Sequence, residues 1–146
     1  MSSQDSKVVV RRFLSTVIAE RDPEAAALVL TSDYAVHFVG MPQPIAGLSA
    51  WQQVIAAYFS AFPDLQLELE EEIAENERVS VRYVWSGTHR GAFMGIPPTG
   101  RHVRVAGHST FRVSADKVAE EWHLDDTLGL LRQLGVAPEP GVAVPA

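Results

Sequence analysis

Apolar residues recur at helical spacing over residues 8–20, where Val9, Val10, Phe13, Leu14, Val17 and Ile18 share one face. Asp22 followed by Pro23 reads as the cap and first turn of a second, shorter helix ending near Leu30. YAVHFV (34–39) reads as a short strand closed by Gly40 and two prolines. Over 48–62, Leu48, Trp51, Ile55, Tyr58, Phe59 and Phe62 repeat at three and four. Ser49 with Gln52 predicts a capping box for that helix, and Pro63 ends it. The period then changes to two: Leu65, Leu67 and Leu69 alternate with polar residues, as in a half-exposed strand.

Two longer strands follow, each with a clear inward face. In 78–90 it carries Val79, Val81, Tyr83 and Trp85; in 101–113 it carries Val103, Val105, Gly107, Ser109, Phe111 and Val113. A turn-rich segment, 91–100, connects them. A tight turn at 114–116 leads to a fourth strand of this run, 117–124. Asp125 or Asp126 then caps a last helix, TLGLLRQL, which Gly135 terminates. Helices followed by strands joined through hairpins predict an α+β fold, with helices on one side of an antiparallel sheet. Residues 1–137 form a single expected domain, and the Pro-rich 138–146 an expected loose tail.

Composition narrows the function. The 146 residues are 47% hydrophobic, enough for a core without staples. There is no cysteine, which excludes disulfides, thiolate metal sites and a cysteine nucleophile. The formal net charge of -6, with scattered basic residues, argues against nucleic acid or an anionic membrane as partner. No apolar run approaches the roughly 20 residues of a membrane span. MSSQDSK lacks a signal-peptide core, so a cytoplasmic location is expected.

The five histidines form no HxH or HExxH pair, so no metal site is expected. No GxSxG elbow or phosphate-cradling loop is present. What remains is EEWHLDD, 120–126. On a strand, Val118, Glu120, Trp122 and Leu124 share one face, and Ala119, Glu121, His123 and Asp125 the other. Glu121, His123 and Asp125 then stand about 7 Å apart between neighbours. A carboxylate beside an imidazole raises its pKa and orients it, as acid–base catalysis requires. A solvated outer face with ordinary charges is the competing reading. Other residues are equally double-sided. Tyr34 and His37 line a pocket or pack. Trp51, Tyr58 and Phe62 form a core stripe or a ligand platform. Arg82 grips an anionic substrate or pairs outward with the Glu-rich neighbouring strand.

AFPDL (61–65), GTHRGAFMGIPPTGRHV (87–103) and FRVSADKVAEEWHLDDTLGLLRQLG (111–135) resemble the SnoaL-like polyketide cyclases of the nuclear-transport-factor-2-like superfamily. The resemblance implies a cone-shaped α+β barrel, a curved antiparallel sheet wrapped around N-terminal helices with a deep apolar pocket. It implies homo-oligomers, dimers or tetramers, packed through the sheet. It implies cofactor-independent chemistry on a small hydrophobic, polyketide-type carbonyl compound, of lyase or isomerase type. The family's catalytic aspartate falls on His123 and its supporting histidine on Ser109, so both key positions depart from the ring-closing enzymes. The resemblance turns His123 into the pocket with Ser109 across from it, and moves Trp122 and Leu124 to a subunit contact or beneath the last helix. His123 is then the expected general base, Glu121 or Asp125 its orienting partner, and Ser109 a hydrogen bond to the enolate. Tyr34, His37, Trp51, Tyr58, Arg82 and Trp85 are the expected substrate contacts. A non-catalytic binding or assembly domain is the alternative from another class, and epoxide or ester hydrolysis a variant of the first.

Overall fold

The first helix starts earlier than its apolar stripe. In the computed structural model, which describes residues 2–139 and 141, α1 spans Ser3–Phe13. Ser2 and Asp5 cap it reciprocally, satisfying two free N–H groups at its start. A π-helical stretch, Leu14–Ala19, and a 3-10 turn, Pro23–Leu28, follow, the latter capped by Asp22 as expected. Then come β1 (Leu30–Phe38), β2 (Ile45–Ala46), α2 (Leu48–Ala61), β3 (Gln66–Glu75), β4 (Arg78–Thr88), β5 (His102–Ser114), β6 (Lys117–Asp125) and α3 (Thr127–Gln133).

The predicted capping box of α2 does not form. Gly47 occupies its N-cap at a positive φ, and Gln52 instead donates to the Pro23 carbonyl, tying α2 to the 3-10 turn. Asp126, not Asp125, caps α3 through the Gly129 N–H. That leaves Asp125 free for other work. Most of the expected tail, Pro140 and 142–146, lies outside the described residues; within it, Pro138 is held through its carbonyl by Arg132.

The α+β class stands, but the sheet is mixed. Its order is β2-β1-β6-β5-β4-β3. β3 to β6 form the expected antiparallel run, whereas β1 pairs parallel with β6. A parallel neighbour needs a long crossover, and here α2 and four strands supply it. Each strand also begins or ends a few residues from its predicted limit; β1 starts at Leu30, inside what was read as helix.

Across the inner face the register sets rows of three. Tyr83, Gly107 and Asp125 align; so do Val81, Ser109 and His123; so do Val79, Phe111 and Glu121. One bulge matters for that alignment. The β5–β6 register shifts between Arg112 and Val113, so that Val113 pairs with Val118 while Arg112 pairs with Glu120. Val118 therefore points inward with Glu121, His123 and Asp125, not outward with Glu120, and Ala119 is the extra residue. The expected assignment of Val118 and Ala119 to opposite faces fails only because strict alternation has no room for a bulge.

The helices close over this face. Val9, Val10, Phe13 and Val17 join Val79, Val81, Phe111 and Val113 in one buried cluster with Trp51 and Phe62. Each such large apolar side chain contributes about 1.5–3 kcal/mol when removed from water. Among the described residues no helix is long and apolar enough to cross a membrane.

Candidate active site

The cluster is not filled to its end. A cavity opens between the helices and the inner face of β4–β6, with about 100 Å³ open to a water-sized molecule. Its walls are apolar and aromatic, from Phe13, Leu14, Phe38, Trp51, Tyr58 and Phe111 among others; its charged lining residues are Glu121, His123 and Asp125. A second depression bounded by Val39, Leu124 and Leu128 shares Phe38, Tyr58, His123 and Asp125 with it. His123 and Asp125 therefore stand where the two spaces meet, with Glu121 on the cavity side.

Alternation on β6 places the three charged groups on one face at every second residue. Sharing a face is not contact, and the side chains close the remaining distance. His123 Nδ1 meets Glu121 Oε2 at 2.9 Å and His123 Nε2 meets Asp125 Oδ2 at 3.2 Å. Each carboxylate has further donors. Tyr34 Oη donates to Glu121 Oε1 at 2.5 Å and Ser109 Oγ to Glu121 Oε2 at 2.7 Å. Tyr83 Oη donates to Asp125 Oδ1 at 2.6 Å and Trp85 Nε1 to Asp125 Oδ2 at 3.1 Å. Phe38 packs edge-on to the imidazole and the Tyr83 ring lies over it at a small angle.

The protonation states follow from this enclosure. Burial alone pushes His123 down, but hydrogen bonds and charge from Asp125 and Glu121 outweigh it and raise its pKa to about 10. Burial pushes both carboxyls up, and the bonds and positive charge of His123, with the hydroxyl and indole donors, hold them below their usual values. At neutral pH the array is carboxylate, imidazolium, carboxylate. Burial, and then the nearby carboxylate charges, raise the phenols of Tyr34, Tyr58 and Tyr83, which stay protonated.

Gly107 makes the array possible at its Asp125 end. A Cβ there would stand 2.5 Å from Asp125 Oδ1 and 2.6 Å from the Tyr83 hydroxyl. Only a bare backbone lets those two groups meet across β5. The visible sign was a glycine within an otherwise alternating strand. Tyr83 was also passed over, although it shares the strand face of Trp85.

The expected site residues separate. Trp51, Tyr58 and Trp85 line the cavity alongside Ser109, Glu121, His123 and Asp125. Tyr34 is fully buried behind Glu121. His37 and Arg82 are on the outer face. His37 pairs with Glu120 and stacks on Trp122, and Arg82 pairs with Glu70 and Glu71. The strand period decides this, since both fall one residue out of phase with inward neighbours. Nor does Trp122 lie beneath the last helix: His37 and Arg78 cover its ring, and Leu124 is exposed. Ser109 faces His123 as implied, but its hydroxyl is committed to Glu121. Among the described residues no group of His, Asp and Glu is arranged to hold a metal ion.

The sequence model of the SnoaL-like polyketide cyclases matches residues 8–134. No curated protein matches. Among solved structures, the SnoaL-like protein of Jannaschia sp. CCS1 is 22% identical with a TM-score of 0.84, over 94% of this chain and 95% of its own. AclR of Streptomyces galilaeus is 27% identical, TM-score 0.82, over 94% and 100%. TsrD of Streptomyces laurentii is 27% identical, TM-score 0.81, over 93% and 98%.

Proposed function

The chain belongs to the SnoaL-like polyketide cyclase family, and we propose that it is a cofactor-independent acid–base enzyme acting on a small, largely apolar carbonyl compound, by ring closure or isomerisation. The observation that carries this reading is the Glu121–His123–Asp125 array at the polar end of an otherwise apolar, aromatic cavity. Exclusion of water makes each polar contact there count for more.

The roles differ from those expected of the residues singly. An imidazolium with both N–H groups engaged is no base. Asp125 is the better base. It holds His123 by the longer contact, borders the neighbouring depression, and keeps capacity on Oδ1. Glu121 is fully enclosed by Tyr34, Ser109 and His123 and serves to keep His123 charged and oriented. Asp125 takes a proton from the carbon beside the carbonyl. The oxygen that becomes the enolate is met by the Tyr58 hydroxyl, which has no acceptor among the described residues and retains its proton. The enolate carbon then attacks a second carbonyl of the same molecule, and the proton on Asp125 passes to the new alkoxide. In an isomerisation it returns instead to another carbon. Hydrolysis would use the same carboxylate to activate water.

The test is proton exchange. Deuterium uptake beside the carbonyl of β-tetralone, followed by NMR in D₂O, should be accelerated by the protein. Asp125→Asn should lose about 10²-fold or more of that acceleration, the scale of a positioned general base. Equal exchange by both proteins removes the catalytic reading. It would favour a binding module, which the mutual saturation of the three charged groups also fits.

A further inference from the structure

The charges of the cavity do not cancel. Glu121 and Asp125 bring two negative charges and His123 one positive, and among the described residues no Lys or Arg lines the space. The donors of the array are also spent. Both ring nitrogens of His123, the hydroxyls of Tyr34, Ser109 and Tyr83, and the Trp85 N–H already point at the two carboxylates. What the array still offers a ligand is acceptor capacity, chiefly on Asp125 Oδ1, whose one protein donor is Tyr83. Around that negative end stand Phe38 and Tyr58, aromatic rings of the kind that attract cations.

We infer that the cavity recognises an apolar ligand bearing a protonated amine and excludes carboxylates. The inference deepens the acid–base reading and rests on it for the identity of the site. The amine would sit over the acceptor edge of Asp125. A carboxylate at the same place would meet net negative charge and no free donor of the array. Steric fit would be the same for both, so the discrimination is electrostatic.

Three ligands of one shape separate the possibilities: naphthylmethylamine, naphthylmethanol and naphthoate. Binding to the whole protein near neutral pH is read from quenching of Trp51 and Trp85, which line the cavity; Trp122 lies outside it. The amine should bind about tenfold more tightly than the alcohol, and the carboxylate at least about tenfold more weakly. Asp125→Asn should bring amine and alcohol within about twofold of each other while alcohol affinity persists, which also reports an intact cavity. Equal affinity of amine and alcohol for the unmodified protein overturns the inference, as does a carboxylate that binds as well as either. So does an Asp125→Asn protein that binds the alcohol and retains the amine preference. Because the exchange assay uses a neutral ketone, loss of charge selectivity leaves the acid–base reading standing, and loss of exchange leaves the ligand preference standing.

Discussion

Two histidine–glutamate pairs flank the plane of the sheet at β6, and they teach opposite lessons. On the outer face His37 Nε2 is 2.7 Å from Glu120 Oε2; on the inner face His123 Nδ1 is 2.9 Å from Glu121 Oε2. The outer contact is the shorter. Yet its side chains are 37% and 24% exposed, against 19% and 9% inside. Glu120 shares its charge with Arg112 at the surface, whereas Glu121 has Tyr34 and Ser109 behind it and His123 has Asp125 beyond it. Distance does not separate an exposed pair from an enclosed one. Enclosure and the number of committed donors do, because water screens the first more than the second.

The comparison is broken most severely by removing the inner cation. His123→Ala leaves two buried carboxylates facing each other, and should cost about 3–5 kcal/mol in urea unfolding at neutral pH. A loss under about 1 kcal/mol would mean that the array is wetter than its geometry indicates. Changing pH probes the same charge more gently. The folded pKa of His123, about 10, lies above its usual 6.5. Its stabilisation is therefore fully present below about 6.5 and lost as pH rises through about 10. The carboxylates run the other way: their contribution is present above their usual values and lost as pH falls through the lowered folded ones. The stability difference between the parent and the His123→Ala protein should thus shrink from neutral pH to above about 10. A difference unchanged over that range would show that His123 is not the titrating group. The smallest effect belongs outside. His37→Ala should cost about 0–1 kcal/mol and leave deuterium exchange unaltered. A larger cost, or a change in exchange, would place the outer pair in the working machinery and collapse the distinction.

Much of this was legible in the chain. The period of two in RVSVRYVW and in the following strand placed Val79, Val81, Tyr83, Trp85, Ser109 and Phe111 on one inner face, and all are buried. The same period put Glu121, His123 and Asp125 together on one side of β6. Arg82 reads as outward by that rule, and it pairs with Glu70 and Glu71 of the Glu-rich β3. What misled was local. A bulge at Ala119 moved Val118 across the sheet, and a capping box at Ser49 and Gln52 lost to a contact with Pro23.

The sequence by itself determined which residues could share a face, because side-chain direction on a strand is a property of the backbone period. It also supplied the unbalanced charge, two carboxylates to one imidazole in five residues. Only the tertiary structure decided what those groups are. His123 is a cation because Asp125 and Glu121 close on it from both sides, and because Tyr34, Ser109, Tyr83 and Trp85 arrive from β1, β5 and β4 to support the carboxylates. Those partners are 12 to 87 residues away along the chain. Protonation is set by the dielectric and the donors around a group, and both are sums over the whole fold rather than over neighbours in sequence.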